Sequence, residues 1–379
     1  MSCPLCRADL NRVGHQLVYS RKVTPALNNV VYENQAKARK AASGELNVIA
    51  CKACGFAFNR SFNPAHILYT PAYDNRRTHS AVYRRHQMAT AKKLAGLLAP
   101  RDRILEVGCG DGAFLKAISR INGCEAVGVD PVYAESPLRQ GRVTFTGSID
   151  NLHRREPFSL VIFQHVLEHI PEPSMLLKKI VSRYTKPGTR LYVEVPDLAW
   201  IMRCGSFFDF TFEHVNYFTR HTLEQTAADA YIVVEKIYSA YGGQYLCMIG
   251  TAGGRIDRIR EDETQPYDLF PLQRRKDELL SAVHQAGKIY IWGASGKGAI
   301  FLCDLKKELG HRLVEAIDIN PEKQGKFLPI SGVEIHPPEQ LAKESDYHLF
   351  IMNPIYKGEI LEMLSDMTII LPNHRYRVC

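Results

Sequence analysis

Eight consecutive residues, Leu105-Glu106-Val107-Gly108-Cys109-Gly110-Asp111-Gly112, limit the fold of this chain more than any other stretch. Residues 104–107 read as a short buried strand, 108–112 as a tight turn and 113–119 as a helix. Glycines at alternate positions after a strand let backbone lie against a ligand with no Cβ in the way. The dinucleotide fingerprint places its third glycine three residues after its second. Here the order is G-x-G-x-G, and Glu106 stands two residues ahead of the first glycine. A carboxylate at that place faces a cation, not a pyrophosphate. Asp130 ends the next apolar run, residues 126–129, where an acid accepts hydrogen bonds from ribose hydroxyls.

Strands alternating with helices continue at 160–163 and 191–195, which predicts a parallel sheet with its ligand at the C-terminal strand ends. A helix is expected over 80–98, ahead of the first strand, and two β-rich runs, 231–239 and 244–251, flank Tyr241-Gly242-Gly243. Residues 252–271 are polar and read as a linker. A charged helix, 272–286, then leads to a second α/β unit with strands at 289–292, 316–319 and 349–352. Its turn, Gly293-Ala294-Ser295-Gly296-Lys297-Gly298, is not a P-loop, because Ile291 stands where that motif needs glycine. At roughly 150 residues per domain, 379 residues make two or three domains. No window approaches the ~18 apolar residues of a membrane span, and the N-terminus has no signal-like apolar core. A cytoplasmic protein with no membrane partner is expected.

Two C-x-x-C pairs, Cys3 with Cys6 and Cys51 with Cys54, are separated by 44 residues. Each sets two sulfurs for tetrahedral coordination, so the four predict a closed, structural Zn²⁺ site. Without a secretion signal, disulfides are not expected. The net charge of +8 is concentrated at the start: residues 1–90 hold 13 basic and 4 acidic side chains, 13 − 4 = +9, leaving −1 for the rest. Such a segment is either a solvated face or an attractor of phosphorylated ligands.

Glu106 to Gly112, Asp130, Gly147-Ser148-Ile149-Asp150 and Gln164-His165-Val166-Leu167-Glu168-His169 together resemble, in order, the class I S-adenosylmethionine-dependent methyltransferases. That donor carries an ammonium and a sulfonium and no phosphate, which suits Glu106. The resemblance implies a donor site of Glu106, Gly108, Cys109, Gly110, Gly112 and Asp130. Ser148 and Ile149 would flank the adenine, and Gln164 and His165 the methionine half. His165 to His169 also fits the zinc-hydrolase pattern H-x-x-E-H. It follows a strand of the cofactor unit and no third ligand is evident, so a cofactor-side helix is expected there.

Over nearly its whole length the chain also resembles the three-part sugar C-methyltransferases of deoxysugar biosynthesis. The cysteine pairs, the glycine turn, residues 208–218 and Asp318-Ile319-Asn320-Pro321-Glu322-Lys323-Gln324-Gly325 carry this likeness. It implies an α/β architecture in three parts: a zinc-binding domain (1–75), a class I methyltransferase domain with a Rossmann-like sheet (76–252), a linker (253–271) and a C-terminal Rossmann-like domain (272–379). The substrate would be a nucleotide-linked sugar contacted by Lys297, Asn320, Lys323 and Asn353. The family's Tyr-x-Glu-His segment reads Thr211-Phe212-Glu213-His214 here, so Glu213 and His214 carry over and the tyrosine does not. His214 is the candidate general base, Glu213 its orienting carboxylate. Tyr73 matches the family's other active-site tyrosine. Carbon methylation through an enolate is the leading expectation, by a monomer or homodimer with no nucleic-acid partner. O- or N-methylation of a sugar or related molecule, a zinc-ribbon RNA methyltransferase using the basic N-terminal segment, and a non-catalytic nucleotide-sugar binder stand as alternatives.

Overall fold

The computed structural model describes residues 1–69, 73–74, 76–133, 138–152, 157–254, 265–310, 313–343, 347–367 and 376–379. Most of the sequence's linker, 255–264, lies outside them; the helix that follows begins at Phe270 and runs to Gln285. Three sheets organise the described residues.

The central sheet has eight strands, and its switch point lies beside the glycine turn. Arg103–Val107 pairs in parallel with Glu125–Val129 on one side and Leu160–Gln164 on the other. Val143–Thr146 and Arg190–Pro196 extend the parallel run outwards. Tyr245–Ala252, Ile232–Ala240 and Leu138–Gln140 close the edges in antiparallel register. Apart from the buried Glu106 and Glu194, the inner strands are mostly apolar, as a sheet covered by helices requires; Leu105, Val161, Phe163, Leu191 and Val193 are fully buried. Ser80 caps the Ala81–Ala95 helix by accepting the Tyr83 N–H, which fixes the strap that leads into this sheet.

The N-terminal sheet is built from His15–Pro25, Ser43–Cys51 and Ala57–Asn59, all antiparallel. Its fourth strand, Asn216–Tyr217, comes from the central unit and pairs with Ala57–Asn59. The C-terminal sheet is parallel in the order Ile335–His336, Leu313–Ile317, Lys288–Trp292, His348–Ile351, Tyr376–Val378. One hydrophobic core runs between these outer units: Val18, Leu46 and Val48 meet Phe207, Phe208 and Phe210, which meet Ile289, Phe301 and Phe350. Each such aromatic ring contributes on the order of 2–3 kcal/mol when fully buried. The aromatic-rich segment after Gly205 is thus a wedge that joins first unit to last. Arg21 seals the junction. It pairs with Asp304 and donates to the carbonyls of Phe210 at 2.8 Å and Phe207 at 3.3 Å, while Tyr19 donates to Asp304 at 2.8 Å.

Candidate active site

The glycine turn folds as its spacing requires. Gly108, Gly110 and Gly112 all have positive φ, at 74°, 51° and 71°. A Cβ at Gly108 would meet Val166 at 2.3 Å, and one at Gly112 would meet Phe145 at 2.3 Å. At Gly110 nothing lies within 4 Å, so there the backbone faces open space. Asp130 accepts the Gly110 N–H at 2.8 Å and that of Val132 at 3.1 Å, which holds the turn against the end of the neighbouring strand. Ser148 caps the short turn Ile149–Asn151 beyond the next strand. Cys109 is buried beside Gly128. Two buried polar atoms in this cleft have no hydrogen-bond partner: Oε2 of Glu106 and Nε2 of Gln164. Burial, reinforced by Asp130 and Asp111, pushes the Glu106 carboxyl well above its ordinary range.

Next to this cleft lies a cavity lined by all three units. Its lining includes Tyr73, Arg77, Glu168, His169, Thr211 and His214, together with Lys297, Asn320, Lys323 and Asn353 from the C-terminal unit. The four C-terminal candidates, scattered over 57 residues of sequence (353 − 297 = 56 steps), are therefore brought together. Lys297 donates to Asp209 at 2.8 Å and Lys323 to Ser295 at 2.6 Å. Asn320 donates to Asp74 at 2.9 Å, and Asn353 exchanges amide hydrogen bonds with Gln244 at 2.9 and 3.1 Å. His165 belongs both to the segment beside the glycine turn and to the lining of this cavity. It has a positive φ of 54°, and its ring nitrogens lie 3.3 Å from Glu168 and 3.2 Å from Glu194. Burial works to lower its pKa, but those two carboxylates outweigh burial and raise it.

The four cysteines of the first unit converge. Cys3 Sγ lies 3.7 Å from Cys54 Sγ, and Cys6 Sγ lies 3.8 Å from Cys51 Sγ. A tetrahedron with metal–sulfur bonds of about 2.3 Å has edges of about 3.8 Å, which these two distances match, and all four sulfurs lie within 4.8 Å of one another, as ligands of one ion must.

The Methyltransferase domain family matches residues 77–231, and the C-methyltransferase C-terminal domain family matches residues 264–369. The chain thus joins a methyltransferase domain to a C-methyltransferase C-terminal domain, and it is an S-adenosylmethionine-dependent methyltransferase. The C-methyltransferase NovU of Streptomyces niveus is 26% identical over 285 residues, 67% of this chain and 67% of that protein. A ubiquinone biosynthesis O-methyltransferase of Hahella chejuensis is 30% identical over 105 residues, 24% of this chain and under half, 42%, of that protein. Among solved structures, the N-methyltransferase NodS of Bradyrhizobium japonicum matches 46% of this chain and 99% of its own at 13% identity, with a TM-score of 0.34.

In this methyltransferase the cleft residues suit the donor. Glu106 offers an unpartnered carboxyl oxygen and Gln164 an unpartnered amide nitrogen, beside the open backbone of Gly110. The cavity lining around His214 departs from what the sequence implies. Glu213 does not orient His214. Its carboxylate accepts the Tyr73 hydroxyl at 2.9 Å and the Asn28 N–H at 3.4 Å, and lies 3.8 Å from His169. His214 Nδ1 is buried without a partner, and burial together with the neighbouring His169 pushes its pKa down to about 3. Burial pushes the Glu213 carboxyl up. Residues 165–169 form no helix beyond the single turn Leu167–His169. That turn brings Glu168 and His169 to His214, a distant third partner that the local motif does not reveal.

Sequence reasoning also missed Arg77. Its guanidinium is buried, lies 4.8 Å over the Tyr83 ring, and hydrogen-bonds the Tyr245 hydroxyl. Glu194, fully buried, accepts from Tyr192 at 2.7 Å and lies 3.2 Å from His86. No periodicity marks either residue.

Proposed function

We propose that this methyltransferase transfers the donor's methyl group to a carbon of a nucleotide-linked sugar, through an enolate. One observation carries the reading: one cavity is lined by Tyr73, whose hydroxyl donates to the buried Glu213 carboxylate behind it, by His165, and by the amide and lysine side chains of the C-terminal unit. Lys297, Lys323, Asn320 and Asn353 would receive the diphosphate and base, with the sugar ring reaching Tyr73 and His214. Glu106, Gln164 and His165 would hold the methionine half of the donor, the glycine turn its backbone side, Asp130 its ribose, and Ser148 and Ile149 its adenine. The donor supplies an electrophilic methyl on a sulfonium.

A carbon acid beside a carbonyl needs a base matched to neutral pH. An imidazole pushed down to about 3 is poorly matched, whereas a buried carboxylate with a raised pKa is better placed. The proton of the sugar carbon passes to Glu213 by way of Tyr73, whose own proton moves onto the carboxylate as its oxygen accepts the new one. The enolate carbon takes the methyl, and the C–S bonding pair stays with sulfur. His214, neutral, faces the acceptor. A structural Zn²⁺ on Cys3, Cys6, Cys51 and Cys54 would stiffen the first unit, and a cytoplasmic setting is compatible with ten free cysteines.

Incubating the protein and donor in D₂O with dTDP-, GDP-, UDP- and CDP-sugars tests this by mass spectrometry. The expected product gains one methylene and has lost a carbon-bound proton. Methylation with every carbon-bound hydrogen retained would move the acceptor to oxygen or nitrogen, and no methylated sugar would end the proposal.

A further inference from the structure

Glu168, His169 and His214 stand together in the acceptor wall, each offering one ligand atom within 4.8 Å of the others. We propose that they form a divalent-cation site, distinct from the cysteine site, which grips the acceptor by two adjacent oxygens. The contacts around the three side chains are those expected of metal ligands. Glu168 is only 1% exposed; its Oε1 lies 3.3 Å from His165 Nδ1, while its Oε2 is buried with no hydrogen-bond partner. His169 lies with Nδ1 3.1 Å from the Glu213 carbonyl and 3.3 Å from the Tyr69 hydroxyl. Donation to a carbonyl is the usual orienting contact of a metal-bound histidine, and it leaves Nε2 with the free lone pair. His214 packs its ring edge-to-face on His169, centroids 4.9 Å apart, and its Nδ1 is the second buried atom here without a partner. Leaving such atoms unmet costs on the order of 1–3 kcal/mol each, and one cation answers both.

His165 is excluded from the set because its nitrogens face Glu168 and Glu194. The pair read in sequence as H-x-x-E-H therefore splits: its second histidine joins a residue 45 positions on (214 − 169 = 45) and its first supports the carboxylate. Two imidazoles and one carboxylate suit Mn²⁺, Fe²⁺ or Zn²⁺ and leave coordination positions open. An α-hydroxyketone fills two of them, and the ion then stabilises the enolate oxygen as a Lewis acid. The family's tyrosine at 211 is a threonine here, buried, with its hydroxyl oxygen accepting the His214 N–H at 3.4 Å. The chelated ligand rests on the methyl-transfer reading; the ion itself does not.

Full-length protein dialysed to one zinc per chain, the ion the four cysteines retain, is titrated with Mn²⁺, following the electron paramagnetic resonance of free Mn²⁺, alongside Glu168→Gln and His214→Ala. Donor binding is measured on all three by calorimetry. One Mn²⁺ per chain in the wild type is expected, weakened at least about tenfold in each variant, with donor affinity within about twofold of wild type. A wild type that takes up no Mn²⁺ at millimolar concentration, or variants that bind it equally well, overturns the cation site. Loss of donor heat in the wild type overturns the methyl-transfer reading and leaves the Mn²⁺ result to decide the ion site by itself.

Discussion

The turn at Gly108–Gly112 and the turn at Gly293–Gly298 are the same backbone device with opposite charge. Each follows a central parallel strand at a point where the sheet order reverses. In each the first glycine donates its N–H to the last residue of the neighbouring strand, Gly108 to Val129 at 2.7 Å and Gly293 to Ile317 at 3.0 Å. An aspartate follows both neighbouring strands, Asp130 in one unit and Asp318 in the other. Two residues before the first glycine, however, the central unit has Glu106 and the C-terminal unit has Ile291. Four residues after it, the central unit has Gly112 and the C-terminal unit has Lys297. A shared scaffold thus carries a carboxyl in one half and an ammonium, paired with Asp209, in the other. On the proposed function the first would face a cation and the second an anion.

The contrast can be broken most severely at Gly112. Valine there meets Phe145 at 2.3 Å and must adopt a φ of +71°, a strain of about 3 kcal/mol or more. Donor heat should vanish in calorimetry, with a lower denaturation midpoint. Next in size is Glu213→Gln, expected to lower kcat by roughly 10²–10³-fold with donor affinity unchanged; Tyr73→Phe should reproduce most of the loss. Were His214→Ala to cost the greater share of kcat in metal-free protein, the proton would belong to the imidazole.

Glu106→Gln sharpens the comparison directly. Donor affinity should fall by about 10–100-fold, the scale of a buried charge-assisted contact. The sign of its pH dependence follows from the raised Glu106 pKa. The free chain holds this carboxyl protonated above the ordinary range, and a cationic donor favours its ionised form, so affinity should tighten as pH rises towards neutrality and beyond. The glutamine variant should lose that slope. Smallest is Lys297→Met in the other turn, which should raise the acceptor KM by about tenfold and leave donor binding alone. A change in donor affinity there would erase the division of labour between the two turns.

The donor turn was legible in sequence because strand, glycines and both acids lie within 28 residues, from 103 to 130. The cysteine cluster was legible despite its long gap, since ligand identity outweighs spacing. The acceptor wall was harder to read. Tyr73, Glu168, His214, Lys297 and Asn320 come from separate segments whose meeting depends on the wedge of Phe207, Phe208 and Phe210 between outer units. Family order named several of them, yet it gave Glu213 to its chain neighbour His214 when the side chain reaches Tyr73 instead. Adjacency in sequence does not fix which way a side chain points. Arg77 carries no motif at all; only the tyrosines around it mark the position.

Arg21 and Asp304 hold a further lesson about how this enzyme can be taken apart. Both side chains are about 95% hidden, and they sit on opposite ends of the polypeptide. Deleting either terminal region strands one charge of the pair, an imbalance on the order of 3–5 kcal/mol, and bares the aromatic wedge as well. Excised fragments should therefore clump or melt early, and any evolutionary reshuffling of these three parts must have carried the arginine and its aspartate along together.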